Sequence, residues 1–106
     1  MWRCRECEPV PEGVRRAAGL LERRWTVSIV YAAHTGAVRF NEFKHAVGPV
    51  PSRTLAQRLT ELEEAGVLER QVVDSRPPRV EYRLTPAGQQ LEALVRAIEE
   101  VAIALA

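Results

Sequence analysis

Apolar positions recur along this chain at two periods, and the changes of period mark its elements. From Val14 to Leu21 the stripe Val14, Ala17, Ala18, Leu21 has helical spacing and is flanked by arginine pairs at 15–16 and 23–24, which predicts a short first helix. Trp25, Ile29 and Ala32 continue at i, i+4, i+7 as a second helix, stopped by Gly36. Ala37–Phe40 has room for a single bridging strand, and Asn41 then caps a brief helix with Phe43, Ala46 and Val47 on its inner side. Gly48-Pro49-Val50-Pro51 must be a turn, because two prolines one residue apart cannot continue a helix. Ser52–Ala65 is strongly helical on Leu55, Leu59 and Leu62, with Gly66 in the left-handed position that ends it.

The period then shortens. Residues 67–73 and 79–84 have strand composition, and the five residues between them are too many for a tight hairpin, so they form a ribbon with a projecting loop. Thr85 caps a last helix with Pro86 in its first turn, running essentially to Ala106. On that helix Ala87, Leu91, Leu94, Ile98, Val101 and Leu105 are spaced 4-3-4-3-4, a seam of period 3.5 broadened by Val95 and Ala102. Such a seam seeks a partner helix, in a second copy of the chain or in the chain's own first helix. The fold class is mainly α with a small β-ribbon: a winged helix-turn-helix with N- and C-terminal dimerisation helices. Residues 1–11 are expected to be a flexible arm, and 12–106 one domain that includes the dimerisation helix at about 85–106.

Length supports this reading, since 106 residues bury only a modest core and a chain of this size gains from dimerising. No apolar run is long enough to span a bilayer and the N-terminus lacks the apolar stretch of a signal peptide, so a cytoplasmic location is expected. The net charge of +1 is uninformative until divided along the chain. Residues 1–58 hold ten Lys or Arg against five Glu, whereas 59–106 hold five Arg against nine Asp or Glu. A basic half can face a polyanion while the acidic half limits indiscriminate binding.

Opposite the leucines of the Ser52–Ala65 helix stand Arg53, Gln57 and Thr60, rotated by roughly 160°, 200° and 140° from Leu55. With Thr54 beside them, these are candidate base contacts: Arg matches guanine, Gln matches adenine, and Thr meets either a polar edge or a thymine methyl. Ser52, Arg58, Arg39 and Lys44 flank that surface as candidate phosphate contacts, and Arg76 and Arg79 bracket Pro77-Pro78 at the loop tip, suited to phosphate or the minor groove. Glu61 and Glu64 limit the reading face to the first two turns. A polar face or loop that is merely solvated is the plain alternative for each.

Several segments together resemble the HxlR-type family of winged-helix transcriptional regulators, relatives of the MarR group. They are Arg24-Trp25-Thr26 with Ile29, Arg39-Phe40-Asn41-Glu42, and the helix Arg53-Thr54-Leu55 through Leu59, Leu62-Glu63 and Gly66, followed by Pro78-Arg79-Val80-Glu81-Tyr82, Leu84-Thr85-Pro86 and Gly88. The resemblance implies a homodimer that sets two recognition helices in successive major grooves of double-stranded DNA, as a repressor or activator. A sequence-specific regulator is expected, and the seam on the last helix offers Leu91, Leu94, Val95, Ile98, Val101 and Leu105 as dimer contacts, so that a two-fold dimer would read an inverted-repeat operator. The chain departs from the family in having Pro51 before Ser52 where Ser then Pro is usual, so either Pro51 is the first helical residue or Ser52 caps a helix beginning one residue later.

Cys4-Arg5-Glu6-Cys7 allows an intramolecular disulfide, supplies half of a zinc site, or is an inert arm. Some members of the resembled family sense oxidants through a cysteine before the first helix, but the corresponding position here is Glu12, and Cys4 and Cys7 lie upstream of it. His34 and His45 have no partner at metal-ligand spacing, and no metal or other cofactor is expected. No catalytic constellation appears, so an enzyme is not expected. The alternative function from another class is a winged helix that binds a partner protein and has no operator.

Overall fold

The computed structural model describes residues 7–106. Eight elements follow in order: α1 (Glu12–Leu21), α2 (Thr26–His34), α3 (Phe40–Val47), α4 (Ser52–Glu64), β1 (Leu68–Val73), β2 (Arg79–Leu84), α5 (Pro86–Gln89) and α6 (Glu92–Leu105). The core lies where α2, α3 and α4 meet beneath the ribbon. Ile29, Phe43, Leu55, Leu59 and Leu62 are fully buried there, with Val30 and Val50 at 1% exposure. A five-leucine-sized cluster of this kind is what fixes the orientation of α4, because each large side chain is worth roughly 1.5–3 kcal/mol when withdrawn from water.

The end of α4 is the clearest case of sequence dictating geometry. Gly66 has φ +79°, its amide donates to Glu63 O (3.0 Å), and Val67 N–H donates to Leu62 O (2.9 Å). This is a Schellman closure, and it brings the buried pair Leu62 and Val67 together before the chain enters the ribbon. The ribbon itself is a two-stranded antiparallel sheet in which Leu68 faces Leu84 and Val73 faces Arg79.

Four expectations need correction. The bridging strand at Ala37–Phe40 is reduced to one backbone bond, from Tyr82 N–H to Val38 O (2.7 Å). Asn41 lies inside α3 and does not cap it: the Glu42 carboxylate accepts the amides of Val38 (3.0 Å) and Arg39 (2.8 Å), which makes Arg39 the cap residue and leaves Ala46 exposed. Trp25 precedes α2 as its left-handed cap, φ +81°, with its carbonyl accepting from Ile29 N–H (2.9 Å). Finally, the terminal helix is broken. Thr85 does cap α5, accepting Gly88 N–H at 3.0 Å, but Gly88 sits so close to Val67 that a Cβ there would lie 2.1 Å from the Val67 carbonyl oxygen. Held down at that point, the chain tightens through i→i−3 bonds at Gln90 and Leu91 and restarts at Glu92.

Candidate nucleic-acid interface

The turn before α4 decides how the helix is presented. Gly48 (φ +99°) ends α3, Val50 plugs into the core, and Lys44 Nζ donates to Val50 O at 3.0 Å, tying the turn back to α3. Pro51 is the cap and Ser52 the first helical residue, so the helix takes neither of the two starts that the sequence left open, and no side chain caps it. Ser52 is exposed at that end.

With the leucine face buried, Arg53, Gln57 and Thr60 come out together on the exposed side of α4, where they line one shallow depression with Arg23, Ala56 and Glu61. Thr60 Oγ1 donates to Ala56 O (3.0 Å), which leaves its methyl and lone pairs outward. Thr54 does not join this group: it is half-buried and turned toward a second concavity, with Arg24, Trp25, Pro49, Pro51 and Arg58. The expectation that groups Thr54 with Arg53, Gln57 and Thr60 is therefore corrected.

Arg58 is corrected as well. Its side chain is only 12% exposed, Nε donates to Arg24 O at 3.1 Å, and Nη1 pairs with Glu61 at 3.2 Å. Glu61 also meets Arg23 at 3.4 Å. Arg58 is thus a brace between α4 and the start of α2, and its charge is already answered within the protein. Arg39 is exposed beside α3, and Arg76 is exposed at the tip of the wing, the loop joining β1 to β2.

At the root of the wing stands Glu81, a residue absent from the expected site. Its side chain is 7% exposed; it receives two hydrogen bonds from Arg83 (3.2 and 2.8 Å) and faces Arg79 Nε at 3.4 Å. The Arg83 hydrogen bonds hold its carboxyl below the usual carboxylate range against the opposing effect of burial, with the charges of Arg83, Arg79 and Arg39 assisting. Glu42 is lowered in the same direction by the amides of Val38 and Arg39. Alternation along β2 is the signal that could have found this: residues 79, 81 and 83 share one face of a strand, so an acid between two arginines is placed to pair with both. Arg79 and Arg83 keep unbonded guanidinium nitrogens beyond Glu81 and remain 44% and 54% exposed.

Away from this surface, Leu91, Leu94 and Ile98 are half-buried, while Val101 and Leu105 are 53% and 81% exposed. Val95 is 6% exposed within its own chain, so intrachain packing has already used it and its placement at a dimer contact is corrected. The Cys4 half of the Cys4–Cys7 element lies outside the described residues; Cys7 is disulfide-bonded. Among the described residues no group of three or more His, Cys, Asp or Glu is gathered as for a metal, and no helix is long and apolar enough to cross a membrane.

Comparison with known proteins agrees with this arrangement. The family model for the HxlR-like helix-turn-helix matches residues 20–105. YvaP, an HTH-type transcriptional regulator of Bacillus subtilis (strain 168), is 37% identical over 85 residues, which are 80% of this chain and 79% of that protein. Among solved structures, the reduced form of the transcriptional regulator YodB from B. subtilis superposes with a TM-score of 0.77 at 32% identity, covering 89% of this chain and 92% of that one. The redox regulator HypR in its oxidised form gives a TM-score of 0.79 at 33% identity over 87% of this chain and 95% of that one. A family model spanning most of the chain, together with relatives that are transcriptional regulators and not enzymes, means that this chain belongs to the HxlR-like helix-turn-helix family of DNA-binding transcriptional regulators.

Proposed function

We propose that the chain acts in the cytoplasm as a homodimer, reads an inverted-repeat operator with Arg53, Gln57 and Thr60, and is released by oxidation at Cys4 and Cys7. The observation that carries the operator reading is the division of α4: three leucines at 0% exposure behind, three side chains with base-pairing chemistry in front. A helix held that rigidly can present hydrogen-bonding groups to base edges without first ordering itself. Arg39, Arg76, Arg79 and Arg83 supply the accompanying phosphate or minor-groove contacts.

Two-fold pairing through α6 and α1 is supported by Val14, Val101, Ile103 and Leu105, all more than half exposed on the single chain. A two-fold dimer would read half-sites about one helical turn apart. The redox reading is supported by the disulfide-bonded state of Cys7 and by the likeness to YodB and HypR, each solved under defined redox conditions.

Selection from random duplexes followed by fluorescence anisotropy tests the core of the proposal. An enriched palindromic motif is expected, and Gln57→Ala should lose about 1–3 kcal/mol per half-site on that motif while barely changing affinity for scrambled DNA. Equal loss on both DNAs would remove Gln57 from base reading, and the absence of any enriched motif would turn the surface over to a protein partner. For the redox step, Cys4→Ser/Cys7→Ser should hold the operator under diamide concentrations that release the wild type.

A further inference from the structure

We infer that the concavity between the start of α2 and the first turns of α4 is a seat for one phosphodiester group of the DNA backbone, with Arg24 as its principal ligand. The inference rests on the DNA-binding reading above and adds a contact that neither the sequence patterns nor the base-reading residues supplied.

The site is built rather than incidental. Arg24, Trp25, Pro49, Pro51, Thr54 and Arg58 enclose about 370 Å³, and no carboxylate lines it. The Arg24 guanidinium lies 4.5 Å from the centroid of the Trp25 ring, which holds it flat and limits its rotamers before any ligand arrives. The backbone beneath is fixed from the other side, because Arg58 Nε donates to Arg24 O at 3.1 Å. Trp25 itself is kept at φ +81°, a left-handed conformation that is unfavourable for a bulky residue and persists only where surroundings enforce it. Arg58 is therefore a positioning residue: committed to Glu61 and to the Arg24 carbonyl, it hands the cationic role to its neighbour. Thr54, which lines the same concavity, offers a hydroxyl as a second donor.

Groove dimensions say which part of DNA would sit there. The major groove is about 12 Å wide and a helix with its side chains is about 10–12 Å across, so a helix reading bases has a phosphate backbone against each flank. The concavity lies along one flank of α4, and the depression holding Arg53, Gln57 and Thr60 opens on its outer face. A phosphodiester oxygen placed between Arg24 and Thr54 would fix the register in which Gln57 meets its base, while carrying no sequence information itself.

The test is anisotropy across a salt series with two duplexes of equal length, one carrying the selected motif and one scrambled. Arg24→Gln removes one phosphate contact from each protomer, so the dimer should bind both duplexes about 100-fold more weakly and the slope of log affinity against log salt should fall by about two. Arg70→Gln removes the same charge from β1 on the ribbon face opposite Arg79 and Arg83 and should leave the slope unchanged. Arg24→Lys keeps the charge without the planar fork, so it should retain most of the slope while losing part of the affinity. If wild type binds the motif and Arg24→Gln, folded by circular dichroism, shows the same affinity and slope, the seat is overturned and the operator reading stands. Loss confined to the motif duplex would also overturn it, because that is the signature of a base contact. A wild type that binds neither duplex at low salt would overturn the operator reading itself.

Discussion

The two ends of this molecule use the same amphipathic pattern and arrive at opposite outcomes. On α4 the apolar stripe Leu55, Leu59, Leu62 is fully buried in the core cluster with Ile29, Phe43 and Leu68, so the polar stripe is the surface left to solvent. On the second half of α6 the stripe finds nothing, leaving Val101 and Leu105 at 53% and 81% exposure, with Ile103 on another face of the helix at 77%, and α1 buries no residue at all. The chain is correspondingly long for its size, with a Cα radius of gyration of 16.1 Å where a compact domain has about 13 Å. The lesson is that one end is finished by intrachain packing, while the other leaves apolar side chains in water that the proposed second copy would cover.

Breaking the finished end should have the larger effect. Leu59→Ala removes a fully buried side chain from the centre of the α4 packing and should cost about 2–5 kcal/mol, a large share of a small domain's stability. Chemical denaturation would show a lower midpoint, with the same loss per protomer at every protein concentration. If the loss instead shrank as concentration rose, the α4 end would depend on assembly as well and the contrast would collapse.

Breaking the unfinished end should act on assembly first. Val101→Glu with Leu105→Glu changes residues that are already in water on the single chain, so the protomer's own packing is untouched. Light scattering should show a dimer becoming a monomer, and operator affinity should fall about 100-fold, near 3 kcal/mol, as two linked half-site contacts become one. A double variant that stayed dimeric would place the interface elsewhere.

The same contrast explains what could be read from the sequence. Periodicity located α2, α3 and α4, because there the apolar stripes are satisfied by one another and the signals at Gly48-Pro49, Gly66 and Thr85-Pro86 agree with the packing. The misses are tertiary. Nothing local reveals that Gly88 must lie against the Val67 carbonyl, so the break before α6 was invisible. Arg58 has the chemistry of a phosphate contact, and only the fold brings Glu61 and the Arg24 carbonyl to its guanidinium. Val95 belongs to the seam by spacing, which shows that a face is apolar without showing which chain covers it. Glu81 was legible in principle from strand alternation, but its burial depends on how the ribbon settles on α3.

Titration gives the smallest and most local probe, and it separates the wing from the joint between the two ends. Glu81 and Glu42 are held below the ordinary carboxylate range, so the unfolded chain binds their protons first. Their contribution is complete above an unfolded pKa near ~4.3 and is lost as pH falls through the lower folded values. Tyr31 works in the opposite sense: its hydroxyl donates to Glu99 at 3.0 Å, linking α2 to α6, and that hydrogen bond, with the carboxylate's charge, raises its pKa. Its contribution is complete below an unfolded pKa near ~10 and disappears as pH rises through the folded value. Thermal unfolding followed against pH should therefore show Glu81→Gln less sensitive than wild type on the acid limb alone, and Tyr31→Phe less sensitive on the alkaline limb alone. If Glu81→Gln altered both limbs, the wing and the α2–α6 joint would be one cooperative unit, and the two ends of the protomer could not be treated as separately completed structures.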